Sequence, residues 1–321
     1  MKELIGNTPL IKIHYRYLNK ENDIYVKLEY YNLTGSIKDR MVYHILTKAK
    51  EKEELKDGMA IIEATSGNTG ISLAAIGAYF SHPVYILMPN WVSRERIALI
   101  KSYGAKIKLI SKAEGGFLKC IKEADELAKN INGYRPNQFE NIDNVEVHYK
   151  TTGLEIINQM KNKEIGGFIS GIGTGGTLIG IAKRLKENDS NTVICALEPD
   201  TLPILTTGNN KGSHKIEGIG DEFIPKIVDQ DLIDQVLTVN DMDSINMARQ
   251  IARELGIGVG ISSGANLLGA VLLQNQIHRK VVTLFPDDNK KYLSTELSNN
   301  IDSNPNFISN KIELIDYEVI I

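Results

Sequence analysis

Four short segments of this chain carry residue types that can do chemistry. The first is Asn32-Leu33-Thr34-Gly35-Ser36-Ile37-Lys38-Asp39-Arg40, leading into the helical pattern Met41 to Leu46. Lys38 falls in or near the first helical turn, where the macrodipole disfavours a cation. If it is also desolvated, its amine is favoured, and that is the form nucleophilic or Schiff-base chemistry requires. Read alone, the same residue is one solvated base among 37. The second segment, Thr65-Ser66-Gly67-Asn68-Thr69-Gly70, links a strand pattern to a helix pattern. Its hydroxyls, amide and backbone donors can hold an anion such as a carboxylate, or simply cap the helix.

The third segment, Gly171-Ile172-Gly173-Thr174-Gly175-Gly176, is a GxGxxG after a strand pattern and before an apolar helix. Its glycines let backbone N–H groups converge on an anion. With Glu198 at the end of the next strand, about twenty residues on, it also invites a dinucleotide reading. By itself the motif marks a phosphate cup or a tight turn without ligand. The fourth, Gly260-Ile261-Ser262-Ser263-Gly264-Ala265-Asn266, offers hydroxyls at a further helix start. Metal and hydrolase templates find nothing: the six histidines include no HxxxH or HExxH pair, and there is no GxSxG.

These loops need elements to position them. Short β-branched runs alternate with helical patterns and glycine turns, the mark of βαβ units and a mostly parallel sheet. Strands are expected at Met59 to Ala64, Pro83 to Met88, Ala105 to Ile110, Gly167 to Ser170, Thr192 to Leu197 and Val281 to Phe285. Helices are expected from Gly70, near Ser93 and after Gly116. No Pro/Ser-rich hinge separates two halves, so any second domain is woven into the first, with the polar stretch Asn137 to Thr152 as the expected crossing. Ile315 to Ile321 reads as a last strand, either an edge strand or a partner contact.

The bulk numbers agree with a globular α/β protein. With 321 residues, 42% of them hydrophobic and 24% charged, the chain suits two domains or one large α/β unit. Thirty-seven basic against 40 acidic residues give a net charge of -3. Nucleic acid and anionic membrane are therefore not expected partners. Cys120 and Cys195 form no CxxC pair and signal neither a disulfide framework nor a thiolate site, which fits a reducing cytoplasm. Met1 to Gly6 lacks an apolar h-region, so no secretory signal is expected. The uncharged stretch Gly256 to Gln274 approaches membrane-span length but is broken by glycines, serines and Asn266, and reads as a buried strand, turn and helix.

The four segments, together with Ile5-Gly6-Asn7-Thr8-Pro9-Leu10, Gln138-Phe139, Thr151-Thr152-Gly153 and Tyr292-Leu293-Ser294-Thr295, resemble in order and spacing the pyridoxal phosphate (PLP) enzymes of the cysteine synthase and cystathionine β-synthase family. The resemblance implies two interwoven three-layer α/β domains around mostly parallel twisted sheets, similar to tryptophan synthase β, with PLP in the cleft between them. Residues 1–36 and 148–321 would form the larger, PLP-binding domain, and 37–147 a smaller, mobile substrate-binding domain. Lys38 would hold PLP as the internal Schiff base and act as general base. Gly173, Thr174, Gly175, Gly176 and Thr177 would bind its phosphate, displacing the dinucleotide reading. Asn68 would bond the ring hydroxyl oxygen, and Ser262, or less favoured Ser263, the pyridine nitrogen. Thr65, Ser66, Thr69 and Gln138 would receive the substrate carboxylate. The family also implies a homodimer acting on small amino acids and sulfide.

The implied chemistry is β-elimination and β-replacement at Cβ of cysteine-type amino acids through an α-aminoacrylate. Its default form is cysteine synthase, taking O-acetylserine and sulfide to cysteine and acetate. The sequence departs from the family at Leu33 and Ala64, where proline is usual, and at Asp221, where a small residue follows GIG. A carboxylate there can serve as base for water or a thiol, which suggests a sulfide-releasing cysteine lyase; it can equally be a solvated surface acid. Glu217-Gly218-Ile219-Gly220 followed by Phe223-Ile224-Pro225 also resembles the cystathionine β-synthase branch. A non-catalytic paralogue is disfavoured by the presence of Lys38, and an NAD-dependent oxidoreductase would explain only one of the four loops.

Overall fold

The computed structural model describes residues 1–161, 163–299 and 304–320. The chain opens with an antiparallel hairpin, β1 (Leu10–Tyr17) and β2 (Lys20–Leu28). The sequence reading did not anticipate it, because its turn is Leu18-Asn19, both at positive φ, with no glycine to mark a two-residue reversal. Then come α1 (Lys38–Glu51), β3 (Ile61–Ala64), α2 (Asn68–Tyr79), β4 (Val84–Pro89), α3 (Arg94–Ser102), β5 (Lys106–Ile110) and α4 (Gly116–Asn130). These match the expected alternation of strand and helix.

The stretch Asn137 to Thr152, expected as a polar crossing, is mostly helical. It forms α5 (Asp143–Val147) and one π-helical turn at His148–Thr152, which runs without a break into α6 (Gly153–Met160). Beyond it follow β6 (Gly167–Gly171), α7 (Gly176–Asn188), β7 (Val193–Pro199), the single turn α8 (Ile204–Thr207), β8 (Gln235–Val239) and α9 (Asp241–Leu255). The strand expected after Gly256 reduces to one bridge between Val259 and Asp288, and α10 (Ile261–Ile277) takes the rest. β9 (Val281–Phe285) and β10 (Ile312–Ile320) complete the order. The tail does end as an edge strand, antiparallel to β1; its last residue, Ile321, lies outside the described residues.

Two sheets result. The larger has the order β10-β1-β2-β9-β6-β7-β8, parallel from β2 onward, and the smaller is the parallel β3-β4-β5. Side-chain alternation gives the inner strands of the large sheet two packed faces, while the edge strand β10 is largely exposed. Ile11, Ile13, Ile24 and Val26 pack with α9 and α10, while Leu10, Tyr25, Phe168 and Ile194 pack with α6 and α7. The small sheet is sandwiched likewise: Ile61, Ile86 and Met88 meet α1 and α2, and Ile62, Ala64 and Leu87 meet Cys120 and Ala124 of α4. The fold is the expected mixed α/β class with mostly parallel sheets. No helix of the described residues is long and apolar enough to cross a membrane.

A buried ion network ties the first turns of α1 to the larger sheet. Arg40 donates from Nε to Glu29 Oε2 at 2.6 Å, from Nη1 to Glu155 Oε1 at 2.6 Å and from Nη2 to Thr8 Oγ1 at 3.3 Å. Lys27 Nζ reaches Glu155 Oε2 at 2.8 Å. Arg40 is 2% exposed and Glu29 and Lys27 are 0%. Burial would raise both carboxyls, yet Arg40 and Lys27 outweigh it, holding Glu29 below its ordinary value and Glu155 down at about 2.

Because the carboxylates are depressed in the folded protein, they stabilise it above their ordinary range, and this contribution is lost as pH falls through their folded values. Removing the shared cation should strand the buried Glu29 carboxylate and leave Glu155 with Lys27 alone. Arg40→Met is expected to destabilise the fold by about 3–5 kcal/mol, measured by urea unfolding at pH 7, and the loss relative to wild type should shrink below pH 4 as the carboxylates take up protons.

Candidate active site

The carboxyl ends of β3 and β6 open onto one cleft of about 960 Å³, the usual location for a ligand in parallel α/β sheets. Lys38, Thr65, Ser66, Asn68, Thr69, Gln138, Gly173, Thr174, Gly175, Thr177, Asp221 and Ser262 all line it. Residues up to 224 positions apart in sequence, Lys38 and Ser262, thus line one cleft. Two of the expected site residues do not line the cleft. Ser263 is 0% exposed with its Oγ unpartnered, and a Cβ at Gly176 would come within 2.1 Å of Asn144 Oδ1. Ser262, the favoured serine, is the one that lines it.

Lys38 begins α1, as its position after the glycine turn predicts, and its backbone N donates to Ser36 Oγ at 3.3 Å. Burial lowers its ammonium pKa, opposed by the charges of Asp287 and Asp221. The helix start and the desolvation act in the same direction, toward a neutral amine.

At the N-terminus of α2, Thr69 donates to Gln138 Oε1 at 2.7 Å, and Gln138 Nε2 donates to the Ala64 carbonyl at 2.9 Å. Gly67 N donates to Thr65 Oγ1 at 3.1 Å. Gly67 is required there by packing, since a Cβ would stand 2.1 Å from Arg96 Cδ. This is a hydroxyl-rich helix start, suited to a carboxylate.

The turn from β6 into α7 is glycine-rich because neighbouring segments leave no room for side chains. A Cβ at Gly173 would meet the Gly218 carbonyl oxygen at 2.2 Å, and Gly175 has φ +87° with Val228 against it. The first turn of α7 leaves N–H groups without helical partners, as any helix start does. Thr174 Oγ1 accepts from Asn144 Nδ2 at 3.0 Å, and Thr177 Oγ1 lies 3.2 Å from His148 Nε2. His148 sits in the π-helical turn, and burial with the nearby Arg40 and Lys38 charges keeps its pKa well below the ordinary value, so it supports the loop as a neutral ring. Asn144 and His148 carried no signal in the sequence reading, since they lie in the stretch read as a polar crossing. Glu198, the acid a dinucleotide site would need, is already used: it accepts from Leu205 N and Thr206 N at 2.8 and 3.0 Å.

Asp221 reaches the cleft on a loop clasped to the glycine turn by Gly220 N donating to the Ile172 carbonyl at 2.9 Å. His214 Nε2 lies 2.9 Å from the Gly220 carbonyl oxygen. Gly218 and Gly220 take φ of +96° and +71°, conformations that this tight clasp uses and other residues resist. Burial pushes the Asp221 carboxyl up to about 6, with Lys38 pulling down and Glu222 pushing up.

The arrangement offers a desolvated amine, an anion cup at a glycine-rich helix start, a second carboxylate-sized cup and a buried amide oxygen, Asn68 Oδ1, with no partner among the described residues. These donors fit a phosphorylated carbonyl group that attaches to an amine. Comparison with known proteins points the same way. The family described as "Pyridoxal-phosphate dependent enzyme" matches residues 1–287. A cysteine synthase of Staphylococcus aureus is 40% identical over 297 residues, covering 92% of this chain and 95% of its own. Among solved structures, a hydrogen sulfide-producing enzyme from Fusobacterium nucleatum superposes with TM-score 0.94 at 53% identity, covering 98% of this chain and 95% of that one. A cysteine synthase from Entamoeba histolytica gives 0.87 at 36% identity, covering 96% and 93%. Amine, phosphate cup and relatives over nearly the full length therefore agree, and the chain belongs to the pyridoxal-phosphate dependent enzymes of the cysteine synthase type.

Proposed function

We propose that this enzyme releases hydrogen sulfide from L-cysteine and adds water at Cβ, giving L-serine, with Asp221 as the base for the attacking water. The reaction balances as cysteine plus water to serine plus hydrogen sulfide, with one C–S bond broken and one C–O bond formed. It lies within PLP-dependent elimination and replacement on cysteine-type substrates, the chemistry to which the relatives belong. The observation that carries it is the Asp221 carboxylate in the cleft wall, close enough to Lys38 for their charges to interact, with a pKa pushed up to about 6. At neutral pH such a group is ionised and basic enough to take a proton from water.

The chain's own residues divide the work as follows. Lys38 Nζ would carry the cofactor and would serve as the base for the Cα proton; its lowered pKa favours the free amine that this role needs. Bound PLP supplies the electron sink for the pair left at Cα. Gly173, Thr174, Gly175 and Thr177 would hold the phosphate, with Gly176 packed behind them against Asn144; Asn68 would meet the ring oxygen and Ser262 the ring nitrogen. A hydroxyl in that last place does not enforce a protonated ring, which suits elimination better than transamination. Thr65, Ser66, Thr69 and Gln138 bind the substrate carboxylate, which competes for the hydroxyl Thr69 now donates to Gln138. We infer that residues 37–147 move as the smaller domain when this cup fills, and that 1–36 with 148–321 form the larger one.

The second reading is net synthesis of cysteine from O-acetylserine and sulfide, which the cysteine synthase relatives favour. Hydrosulfide needs no base, whereas water does, so the Asp221 carboxylate separates the two. We also infer a homodimer in the cytoplasm. The buried free thiols Cys120 and Cys195 suit a reducing compartment, and Ile315, Tyr317 and Val319, exposed on the edge strand β10, are suitable dimer contacts.

Lys38→Ala should abolish sulfide release and leave no borohydride-fixed cofactor on the chain by mass spectrometry; turnover at the wild-type rate would refute the role. Asp221→Asn should keep the first-turnover release of sulfide from cysteine but slow steady-state serine formation by about 10²-fold or more. Wild-type serine formation should rise with pH along a limb centred near pH 6, because the base works only when ionised. That limb should be missing in the variant. Equal serine yield and rate from both proteins would instead favour cysteine synthesis.

A further inference from the structure

Asp287 was not among the residues expected at the site, does not line the cleft, and is 0% exposed. It lies two residues beyond β9, and its surroundings are those of a hub. Ile37 N donates to the Pro286 carbonyl at 2.9 Å, Ser36 and Asp287 form an isolated antiparallel bridge, and Gly260 N donates to the Asp287 carbonyl at 3.0 Å. Its main chain is thus stitched to the residues just before Lys38 and to those just before Ser262. A Cβ on Gly260 would stand 2.0 Å from Asp287 Oδ1, so that glycine is what allows the carboxylate to approach.

The side chain points its charge at a third site loop. Oδ2 accepts from Asn68 Nδ2 at 2.7 Å and from the Tyr292 hydroxyl at 2.8 Å. Arg96 places Nη2 3.7 Å from the same oxygen, and its guanidinium lies 4.4 Å from the centre of the Tyr292 ring while its Nη1 pairs with Glu217. A carboxylate accepts hydrogen bonds and cannot donate them, so the Asn68 amide must turn its nitrogen toward Asp287. The orientation of that amide is thereby decided. Its Oδ1, buried and without a partner among the described residues, and its remaining N–H are left for the cleft that Asn68 lines.

We propose that Asp287 is a positioning residue for the cofactor, locking the Asn68 amide in one orientation and so fixing which polar atoms meet the cofactor's ring oxygen. This rests on Asn68 as the ring contact, and it is independent of the sulfide-release reaction, because it concerns the enzyme before substrate arrives. Replacing the carboxylate by an amide makes either orientation of Asn68 compatible with a hydrogen bond. The proton distribution around the ring oxygen then changes, and with it the absorption of the bound cofactor.

The test uses the holoenzyme without substrate, together with apoenzyme titrated with PLP. Asp287→Asn should change the ratio of the two visible and near-ultraviolet cofactor bands and weaken PLP binding about tenfold, as loss of a charge-assisted hydrogen bond would. In the double-mutant cycle with Asn68→Ala, the two changes should not add: the double variant should have the spectrum and affinity of Asn68→Ala alone. A wild-type spectrum and affinity for Asp287→Asn would overturn the proposal, as would full additivity with Asn68→Ala. Asp287→Ser, measured in the same way, guards against a misfolded amide variant; if neither variant yields folded protein, Asp287 belongs to the fold and the positioning role falls. Product ratios from cysteine report on Asp221 and leave this result untouched.

Discussion

The constraint on which the rest depends is the burial of Arg40 between two carboxylates. A guanidinium that is 2% exposed needs charged partners and a full set of acceptors; these are the carboxylates of Glu29 after β2 and Glu155 on α6, and the Thr8 hydroxyl before β1. The first turns of α1 are therefore held against the larger sheet at one defined position. Lys38 is two residues earlier on the same helix, so its amine inherits that position. The ion network does no chemistry, yet it decides where the chemistry takes place.

A second constraint is how closely other segments approach the glycine backbone around the cleft. Gly173 lies against the Gly218 carbonyl, Gly176 against Asn144, and Gly260 against Asp287. Each contact leaves no volume for a Cβ, and each joins segments from different parts of the chain. The glycines that give the motifs their appearance thus have two roles. They open backbone N–H groups toward an anion, and they let the Asp221 loop and the Asp287 segment pack tightly enough to bring their carboxylates to the site.

Charge placement follows from this packing. Lys38 is desolvated and faces Asp221 and Asp287, which partly offset the burial. Asp221 is raised by burial and lowered by Lys38. Two groups of opposite type are thus moved toward neutrality from both sides, which is how a site obtains an amine and a carboxylate that exchange protons near neutral pH. Asp287 directs its carboxylate at Asn68 and Tyr292, whose side chains donate to it.

Much of this was legible in the sequence. The alternation of apolar strand runs and helix patterns pointed to the α/β class, and the parallel strands β3, β4, β5, β6, β7 and β9 fall where their β-branched runs predict; for the inner strands the reason is that a strand buried on both faces must be continuously apolar. The glycine loops and Lys38 were visible because local backbone geometry demands particular residue types at particular spacings. What local demands do not encode was missed: the hairpin turned by Leu18-Asn19 and the helical and π-helical run through His148. Asn144, Arg96 and Asp287 left no local trace for the same reason. Their roles consist of contacts with segments up to 219 positions away, as between Asn68 and Asp287, and only the folding of both sheets around one cleft brings those partners within hydrogen-bond reach.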